Sequence, residues 1–225
     1  SLEQFASEND YSGQTIDITG PWTGSDAELV DSVIAYFEDA TGATVNYSGS
    51  DSFEQDIVIS TEANSAPNIA VFPQPGLLAD LASRGAIEPM AEGTSDWIAE
   101  NYAAGDSWVD LATFEGPEGE DALYAFPYKI DVKSLVWYVP EQFEEAGYEV
   151  PETYEDLKSL TEQMAADGVT PWCIGLGSGA ATGWPATDWV EDLMLRTVTP
   201  EEYDAWTTNE LPFDDPKVVN AISEY

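Results

Sequence analysis

Side chains that could bind a polar small molecule follow three apolar segments near the start of the chain. Trp22, Asp51 and Gln74 each come shortly after one of these segments. An indole ring can stack on the apolar face of a ligand, whereas a carboxylate or an amide can hydrogen-bond to its hydroxyl groups. These residue types favour binding over a particular reaction, because the chain contains no histidine to serve as a neutral-pH base or zinc ligand.

The same pattern positions all three residues. An apolar strand, a turn and a helix follow one another in copies that begin at Thr15, Thr44 and Asn68. The helices are predicted over residues 25–42, 53–64 and 77–84, and the first has an apolar stripe at helical spacing, formed by Leu29, Val30, Val33, Ile34 and Phe37. Strands that alternate with helices form a parallel sheet whose carboxyl ends lie on one edge, where such folds bind ligands. The sequence therefore predicts an α/β lobe with a ligand edge.

Each candidate in this lobe also has a purely structural interpretation. Trp22 could be a hydrophobic staple at a helix start. Ser25 and Asp26 could bind a ligand or cap the first helix, and the same two roles are open to Ser50 and Asp51. Gln74 lies between two prolines that fix the backbone, so it is either a rigidly held amide or part of a plain turn.

Residues 91–121 are predicted to be looser, with a turn at Gly116, Pro117 and Gly119. The second half of the chain then repeats the alternation. Strands are predicted over residues 134–139 and 172–176, and helices over 140–146, 154–166 and 185–196. Thr153 and Asp215 are predicted helix caps, and Val218, Val219 and Ile222 form a predicted apolar stripe on the last helix. We expect a first α/β lobe over residues 1–128 and the start of a second α/β lobe, which is expected to be incomplete, over residues 129–225.

Trp184 is the main candidate in the second lobe. It follows the glycine-rich run 177–183 and precedes Pro185 at a predicted helix start, so its indole should be exposed. The alternative is an ordinary packed tryptophan. Thr182 and Thr187 offer hydroxyl groups to a ligand, and Asp188 could bind a hydroxyl or cap the helix. The glycine run lacks the Gly-Lys-Ser/Thr ending of a phosphate loop, which excludes that function.

Three further candidates lie at the predicted crossover between the lobes, namely Tyr128, Lys129 and Asp131. Asp131 could accept hydrogen bonds from two hydroxyl groups of one ligand. A structural salt bridge is the favoured role for Lys129, because acidic residues are so abundant around it.

Charge is the compositional outlier, with 6 basic against 44 acidic residues and a net charge of −38. Such a surface repels phosphate backbones and anionic lipids, so neither nucleic acid nor a membrane surface is expected as a partner. A surface of this kind is typical of proteins from high-salt environments, although an acidic protein of an ordinary organism remains an alternative. We expect a marine or halophilic source.

The order of several motifs resembles the extracellular solute-binding proteins of ABC transporters, within the carbohydrate-binding family and its alpha-glucoside-binding branch. The resemblance covers nearly the whole chain, and its residues are Thr19-Gly-Pro-Trp22, Leu123-Tyr-Ala-Phe-Pro-Tyr128, Trp137-Tyr138, Pro151-Glu-Thr-Tyr-Glu-Asp-Leu157, Thr170-Pro-Trp-Cys-Ile-Gly175 and Gly179-Ala-Ala-Thr-Gly-Trp-Pro-Ala-Thr-Asp-Trp189. Each motif is short, and their order and spacing make the resemblance specific.

The resemblance implies a periplasmic-binding-protein-like fold of two α/β lobes joined by a crossover hinge, with a sugar bound between them. It implies a monomer in the periplasm, or tethered outside the cell, that delivers the sugar to permease subunits, with no enzymatic activity, cofactor or metal. Family members are longer, so the sequence is expected to lack a C-terminal part. Any disulfide partner of Cys173, the single cysteine, would lie there.

Two other functions remain open from the residues alone. A glycoside hydrolase needs only two carboxylates, but their abundance makes every pair uninformative. A receptor for polyamines or other cations would combine acidic residues with aromatic rings.

Overall fold

The computed structural model describes residues 2–8 and 10–225, apart from the side chains of Glu3 and Ala180. The helices and strands are α1 Leu2–Glu8, β1 Thr15–Gly20, α2 Gly24–Thr41, β2 Thr44–Gly49, α3 Phe53–Glu62, β3 Ile69–Ala70, α4 Pro75–Ser83, α5 Thr94–Asn101, α6 Gly105–Leu111, β4 Thr113–Glu115, β5 Asp121–Leu123, α7 Pro140–Ala146, α8 Tyr154–Ala166, α9 Trp184–Thr197, α10 Pro200–Thr207 and α11 Pro216–Glu224. A single 3₁₀ turn covers Gly179–Ala181.

The chain forms two compact units. The first runs to Ile130 and includes Gly179–Ala181, whereas the second comprises Asp131–Ser178 and Thr182–Tyr225. The division into lobes at residues 1–128 and 129–225, expected from the sequence, remains a prediction about the domains of the whole protein.

A parallel sheet of strand order β2-β1-β3 organises the first unit. β1 pairs with β2 along its whole length, from Thr15 opposite Thr44 to Gly20 opposite Gly49. β3 pairs with β1 on the other side, with Ile18 opposite Ile69. The predicted α/β class and the common direction of the three strands are confirmed.

The predicted helices of this unit are present as α2, α3 and α4. Gly42 ends α2 in a left-handed conformation with φ of +74°, which glycine adopts without steric cost. The predicted apolar stripe of α2 is wrong in part, because Leu29 is 66% exposed and Val33 is 70% exposed. Helical periodicity identifies an apolar face, but only the tertiary structure determines which part of it is covered.

The core of the first unit forms where α3 and α4 pack together beside the sheet. Phe53, Ile57 and Leu81 are buried there, and the ring of Phe53 meets that of Phe72 edge to face at 5.4 Å. Phe72 follows β3, so this contact anchors the loop that leads to Gln74.

Residues 91–123 are more ordered than the sequence predicted. α5 and α6 are followed by an antiparallel pair in which Thr113 lies opposite Leu123. The predicted turn is present between β4 and β5, where the amide of Gly119 donates to the carbonyl of Gly116 at 3.0 Å. The looser structure expected here was wrong because short amphipathic segments were not recognised as helices.

Helices α7 to α11 account for the regular structure of the second unit. Thr153 and Asp156 form a capping box at the start of α8, and the Asp215 side chain caps α11 by accepting from the Lys217 amide, as predicted. Leu193, Met194, Val218 and Ala221 form the core. Val219 and Ile222 are 48% and 45% exposed, so the predicted stripe on α11 is only partly buried.

The two strands predicted for this unit are absent. Residues 134–139 and 172–176 form neither helix nor strand, and Trp137 is 86% exposed. A strand needs a neighbour to complete its hydrogen-bond ladder, and the sequence indicates apolar content without showing whether such a neighbour is within reach. None of the helices within the described residues is both long enough and apolar enough to cross a membrane.

Candidate functional site

The loops after β1, β2 and β3 lie on the same edge of the sheet. The hydrogen-bond pattern continues past the strand ends, because the Ser50 amide donates to Gly20 at 3.0 Å and the Val71 amide donates to Thr19 at 2.8 Å. Trp22, Asp51 and Gln74 therefore follow adjacent parallel strands at their carboxyl ends, as the repeated pattern predicted.

The main chain of Trp22 is clamped by a tyrosine of the neighbouring strand. The Tyr47 hydroxyl accepts from the Trp22 amide at 3.0 Å and donates to the Trp22 carbonyl at 3.2 Å. Burial raises the pKa of Tyr47, and the hydrogen bond from the Trp22 amide opposes that rise because it stabilises the phenolate. Gly49 leaves room for this arrangement, because a Cβ at that position would overlap the Trp22 carbonyl oxygen.

The Trp22 side chain is part of an aromatic corner that we call the Trp22 cluster, formed by Trp22, Tyr47, Tyr128 and Lys129. The Tyr128 ring meets the indole edge to face, with centroids 6.1 Å apart, and Tyr128 is 57% exposed. The Lys129 ammonium lies 5.2 Å from the centroid of the Trp22 ring. The corner offers a half-buried indole beside an exposed phenol.

Tyr128 is held in place through the residue before it. The Tyr102 hydroxyl donates to the Pro127 carbonyl at 2.6 Å, and the Tyr102 ring packs against Phe126. These two contacts fix the backbone that carries Tyr128 to the cluster.

Asp51 lies next to the Trp22 cluster. Ser25 and Asp26, by contrast, are not at the N-cap position of α2, where they could have capped the helix. The Thr23 hydroxyl donates to Asp51 Oδ1 at 3.3 Å, which joins the loops after β1 and β2. Thr23, not Ser25 or Asp26, is the N-cap residue of α2. The two predicted caps are exposed within the first turn of the helix, because the helix begins one residue earlier than its polar residues suggested.

Ser50 and Gln74 have structural roles. The Ser50 hydroxyl donates to Asp56 at 2.5 Å and accepts from the Ser52 amide at 3.1 Å. The Gln74 carbonyl oxygen accepts from the Gly76 amide at 2.6 Å and so caps α4. Gln74 can still offer its amide nitrogen to a ligand, because the side chain is exposed.

Trp184, in the second unit, is the first residue of α9 and is 45% exposed. Gly183 precedes it with φ of +104°, a conformation that other residues rarely adopt. Pro185 occupies a favoured position in the first turn, and the Thr187 hydroxyl donates to the Trp184 carbonyl at 2.7 Å. The exposed indole agrees with the sequence-based expectation.

A lysine and a carboxylate accompany Trp184. The Lys133 ammonium lies 4.1 Å from the centroid of the Trp184 ring and 3.3 Å from Asp188 Oδ2. Burial, and then the charge of Asp188, raises the pKa of Glu191, while Lys133 lowers it. Asp188 is therefore an ion-pair partner rather than the predicted cap, because Gly183 is the N-cap residue of the helix. Asp131 is exposed, and its proposed role in hydroxyl binding stays a prediction.

Sequence reasoning missed Tyr47, Thr23 and Lys133. Tyr47 lies two residues after Val45 and on the same face of β2, a pattern that is typical of a core residue rather than of a clamp. Lys133 had a usable signal, because it is one of only 6 basic residues in the chain and lies near Lys129. The salt bridge favoured for Lys129 stays a prediction.

A second aromatic feature of this unit is a cavity of about 430 Å³ between α8, α9 and the end of α11. The rings of Trp172 and Trp189 meet there at 90° with centroids 5.3 Å apart. Its polar groups bind one another, since Lys158 Nζ lies 2.8 Å from Glu224 and the Trp172 indole donates to Thr161 at 3.1 Å.

No cluster of potential metal ligands occurs in residues 2–8 and 10–225.

Comparison with known proteins identifies relatives for this arrangement. The family described as bacterial extracellular solute-binding protein matches residues 20–225. The chain is 61% identical, over its full 225 residues, to the alpha-glucosides-binding periplasmic protein AglE of Rhizobium meliloti, and covers 49% of that protein. It is 42% identical over 214 residues to the osmoprotective compounds-binding protein GgtB of Synechocystis, again covering 49%. The chain thus spans about half the length of the curated relatives it matches.

Solved structures have the same fold. A structure from a study of xylan utilization by a thermophilic bacterium, Caldanaerobius polysaccharolyticus, aligns with a TM-score of 0.65 at 20% identity, covering 93% of this chain and 52% of the other. RafE in complex with raffinose aligns with a TM-score of 0.59 at 17% identity, with the same two coverages. At 20% and 17% sequence identity, these similarities indicate a shared fold.

Proposed function

Because the chain belongs to the family of bacterial extracellular solute-binding proteins, we propose that it is part of the sugar-binding component of an ABC importer. The ligand is an alpha-glucoside, a disaccharide or a short oligosaccharide. The protein binds it without hydrolysis in the periplasm, or tethered outside the cell, and delivers it to permease subunits. It acts as a monomer and needs neither a cofactor nor nucleic acid.

The aromatic corner at the carboxyl edge of the sheet carries this proposal. The Trp22 indole and the exposed Tyr128 ring lie 6.1 Å apart, so two aromatic surfaces face different directions beside the Asp51 carboxylate. A sugar ring needs an apolar platform and hydrogen-bond acceptors within reach of its hydroxyl groups. The name of the 61% identical relative favours an alpha-glucoside over other sugars.

We also assign candidate ligand contacts to exposed groups at the strand and helix ends. In the first unit these are Trp22, Ser25, Asp26, Ser50, Asp51, Gln74, Tyr128 and Lys129. In the second unit they are Asp131, Trp184, Pro185 and Thr187. Of these, Ser50 and Gln74 would first have to exchange a hydrogen bond within the protein for one to the ligand.

A cation receptor is the second candidate. Each of the two main candidate tryptophans has a lysine ammonium over its ring, so these rings already bind cations. The net charge of −38 would also attract a cationic ligand. The relative that binds osmoprotective compounds leaves room for such a ligand.

Calorimetric titration with a panel of ligands tests the proposal. The panel contains maltose, sucrose and trehalose, with lactose as a sugar lacking an alpha-glucosidic bond, and choline and spermidine as cations. Saturable binding of an alpha-glucoside with no release of glucose supports it. Binding of the cations alone favours the second candidate, and release of glucose that is abolished by a carboxylate substitution identifies an enzyme instead.

A further inference from the structure

Both candidate tryptophans have a lysine over the ring, and both lysines come from one short segment. In the second unit, the Lys133 ammonium lies 4.1 Å from the Trp184 ring centroid. In the first unit, the Lys129 ammonium lies 5.2 Å from that of Trp22. In a chain with only 6 basic residues, two such contacts within residues 129–133 call for a functional explanation.

We propose that Lys133 covers the ligand-binding face of Trp184 in the ligand-free protein, and that the ligand displaces it from the ring. This inference rests on the proposed binding function. It assigns to Lys133 a role in setting affinity, because every ligand that stacks on Trp184 must compete with an ammonium group of the protein.

The contact is suited to displacement. The Lys133 side chain is 52% exposed, and a cation–π contact at an exposed site is weak. A ligand that covers the indole with a larger apolar face can therefore replace the ammonium. The ring itself stays in place, because Trp184 is fixed in the first turn of α9.

Asp188 can remain the ion-pair partner of the ammonium after the ammonium has left the ring. It lies one helical turn after Trp184, and its Oδ2 is 3.3 Å from Lys133 Nζ. The lysine side chain can leave the ring and retain this ion pair, so displacement does not require full hydration of a separated charge. Burial raises the pKa of the nearby Glu191 and Lys133 opposes that rise, so this second carboxylate also interacts favourably with the ammonium.

Nuclear magnetic resonance of methylated lysines tests the contact directly. Reductive methylation with ¹³C-formaldehyde keeps the positive charge and labels the lysines, Lys129, Lys133, Lys158 and Lys217. A dimethylammonium group over an indole ring has an upfield-shifted resonance. We expect such a shift for Lys133, its loss in Trp184→Ala, and its loss when saturating sugar is added to the unsubstituted protein.

Affinity measurements provide the second test. Lys133→Ala should bind the sugar about two- to fivefold more tightly, the factor that corresponds to one exposed cation–π contact. Lys133→Arg should bind no more tightly than the unsubstituted protein, because a guanidinium group also stacks on the ring. Lys217→Ala is the matched control, since Lys217 has similar exposure and an ion pair with Glu202, and we expect unchanged affinity.

The outcomes separate this inference from the proposed function. A Lys133 resonance without an upfield shift, or unchanged by Trp184→Ala, overturns the inference whatever the ligand. Sugar binding that leaves a shifted Lys133 resonance in place, or an affinity that Lys133→Ala lowers, also overturns it. If the resonance is shifted but no sugar binds, the proposed function is contradicted, and displacement by sugar is rejected with it.

Discussion

The hydroxyl group of Tyr47 binds both polar groups of the Trp22 peptide, with 3.0 Å to the amide nitrogen and 3.2 Å to the carbonyl oxygen. A side chain of β2 thus holds the loop that follows β1. The position of the Trp22 indole therefore depends on a residue that does not itself have to contact a ligand.

Removal of this hydroxyl group should loosen the Trp22 cluster. Tyr47→Phe leaves two partly buried backbone groups without this partner, so we expect a loss of about 1–3 kcal/mol in the free energy of unfolding and weaker sugar binding. Urea denaturation and calorimetry measure the two effects. Tyr36→Phe, on an exposed tyrosine of α2, is the control, and equal behaviour of both variants would refute the clamp.

Gly49 provides a steric test of the same loop. A Cβ at Gly49 would overlap the Trp22 carbonyl oxygen, so Gly49→Ala should push the loop outward and destabilise the protein by about 1–3 kcal/mol. Tryptophan fluorescence and thermal unfolding report the change. Gly177→Ala places its Cβ in open space and should leave both measurements unchanged; a similar effect of the two substitutions would contradict the close contact.

The tryptophans should contribute to affinity according to their proposed role. Trp22→Ala and Trp184→Ala each remove an aromatic platform, and we expect a loss of about 1–2 kcal/mol, or five- to thirtyfold in Kd. Trp137→Ala is the control, because Trp137 is 86% exposed and is not one of the proposed contacts. Unchanged affinity in either of the first two variants removes that residue from the site.

Acid should weaken the contact between α8 and α11. Hydrogen bonds from Lys158 and Tyr154 lower the pKa of Glu224, so the stabilisation is present above the ordinary glutamate pKa and is lost as the pH falls through the lowered value. Glu224→Gln should therefore be less stable than the unsubstituted protein at pH 7, with the difference shrinking as the pH falls through the lowered pKa of Glu224. Thermal unfolding against pH measures it.

The control for this pH series is Glu210→Gln, which changes an exposed glutamate. It should lower the melting temperature little at any pH. A Glu224→Gln difference that persists undiminished at pH 3 would show that the carboxylate charge is not responsible.

Salt should stabilise the protein. With a net charge of −38, repulsion between carboxylates opposes the folded state, and salt screens it to within about 10 Å at 0.1 M. We expect the melting temperature to rise with sodium chloride, most steeply at low concentrations where screening sets in. A melting temperature that is the same in low and high salt would contradict the expected high-salt source.

Much of the local structure was predictable from the sequence, because it depends on neighbouring residues. Thr153 was predicted to cap a helix and does so at the start of α8, and the helix predicted to end at Gly42 has that glycine as its C-cap. The family assignment was also predictable, since ordered short motifs resembled a family that the comparison confirms. By contrast, Leu29 and Val33 belong to the apolar stripe predicted for α2 and yet are exposed.

The sequence by itself determined the alternation of strands and helices from β1 to α4, the helix caps at Thr153 and Asp215, the common edge of Trp22, Asp51 and Gln74, and the acidic surface. These follow from backbone periodicity, side-chain hydrogen bonds over a few residues, and composition. Only the tertiary structure decided that Tyr47 clamps Trp22, that Lys133 covers Trp184, and that residues 134–139 are not a strand. Contacts between residues 25 or more positions apart depend on how the elements pack, which no local pattern encodes.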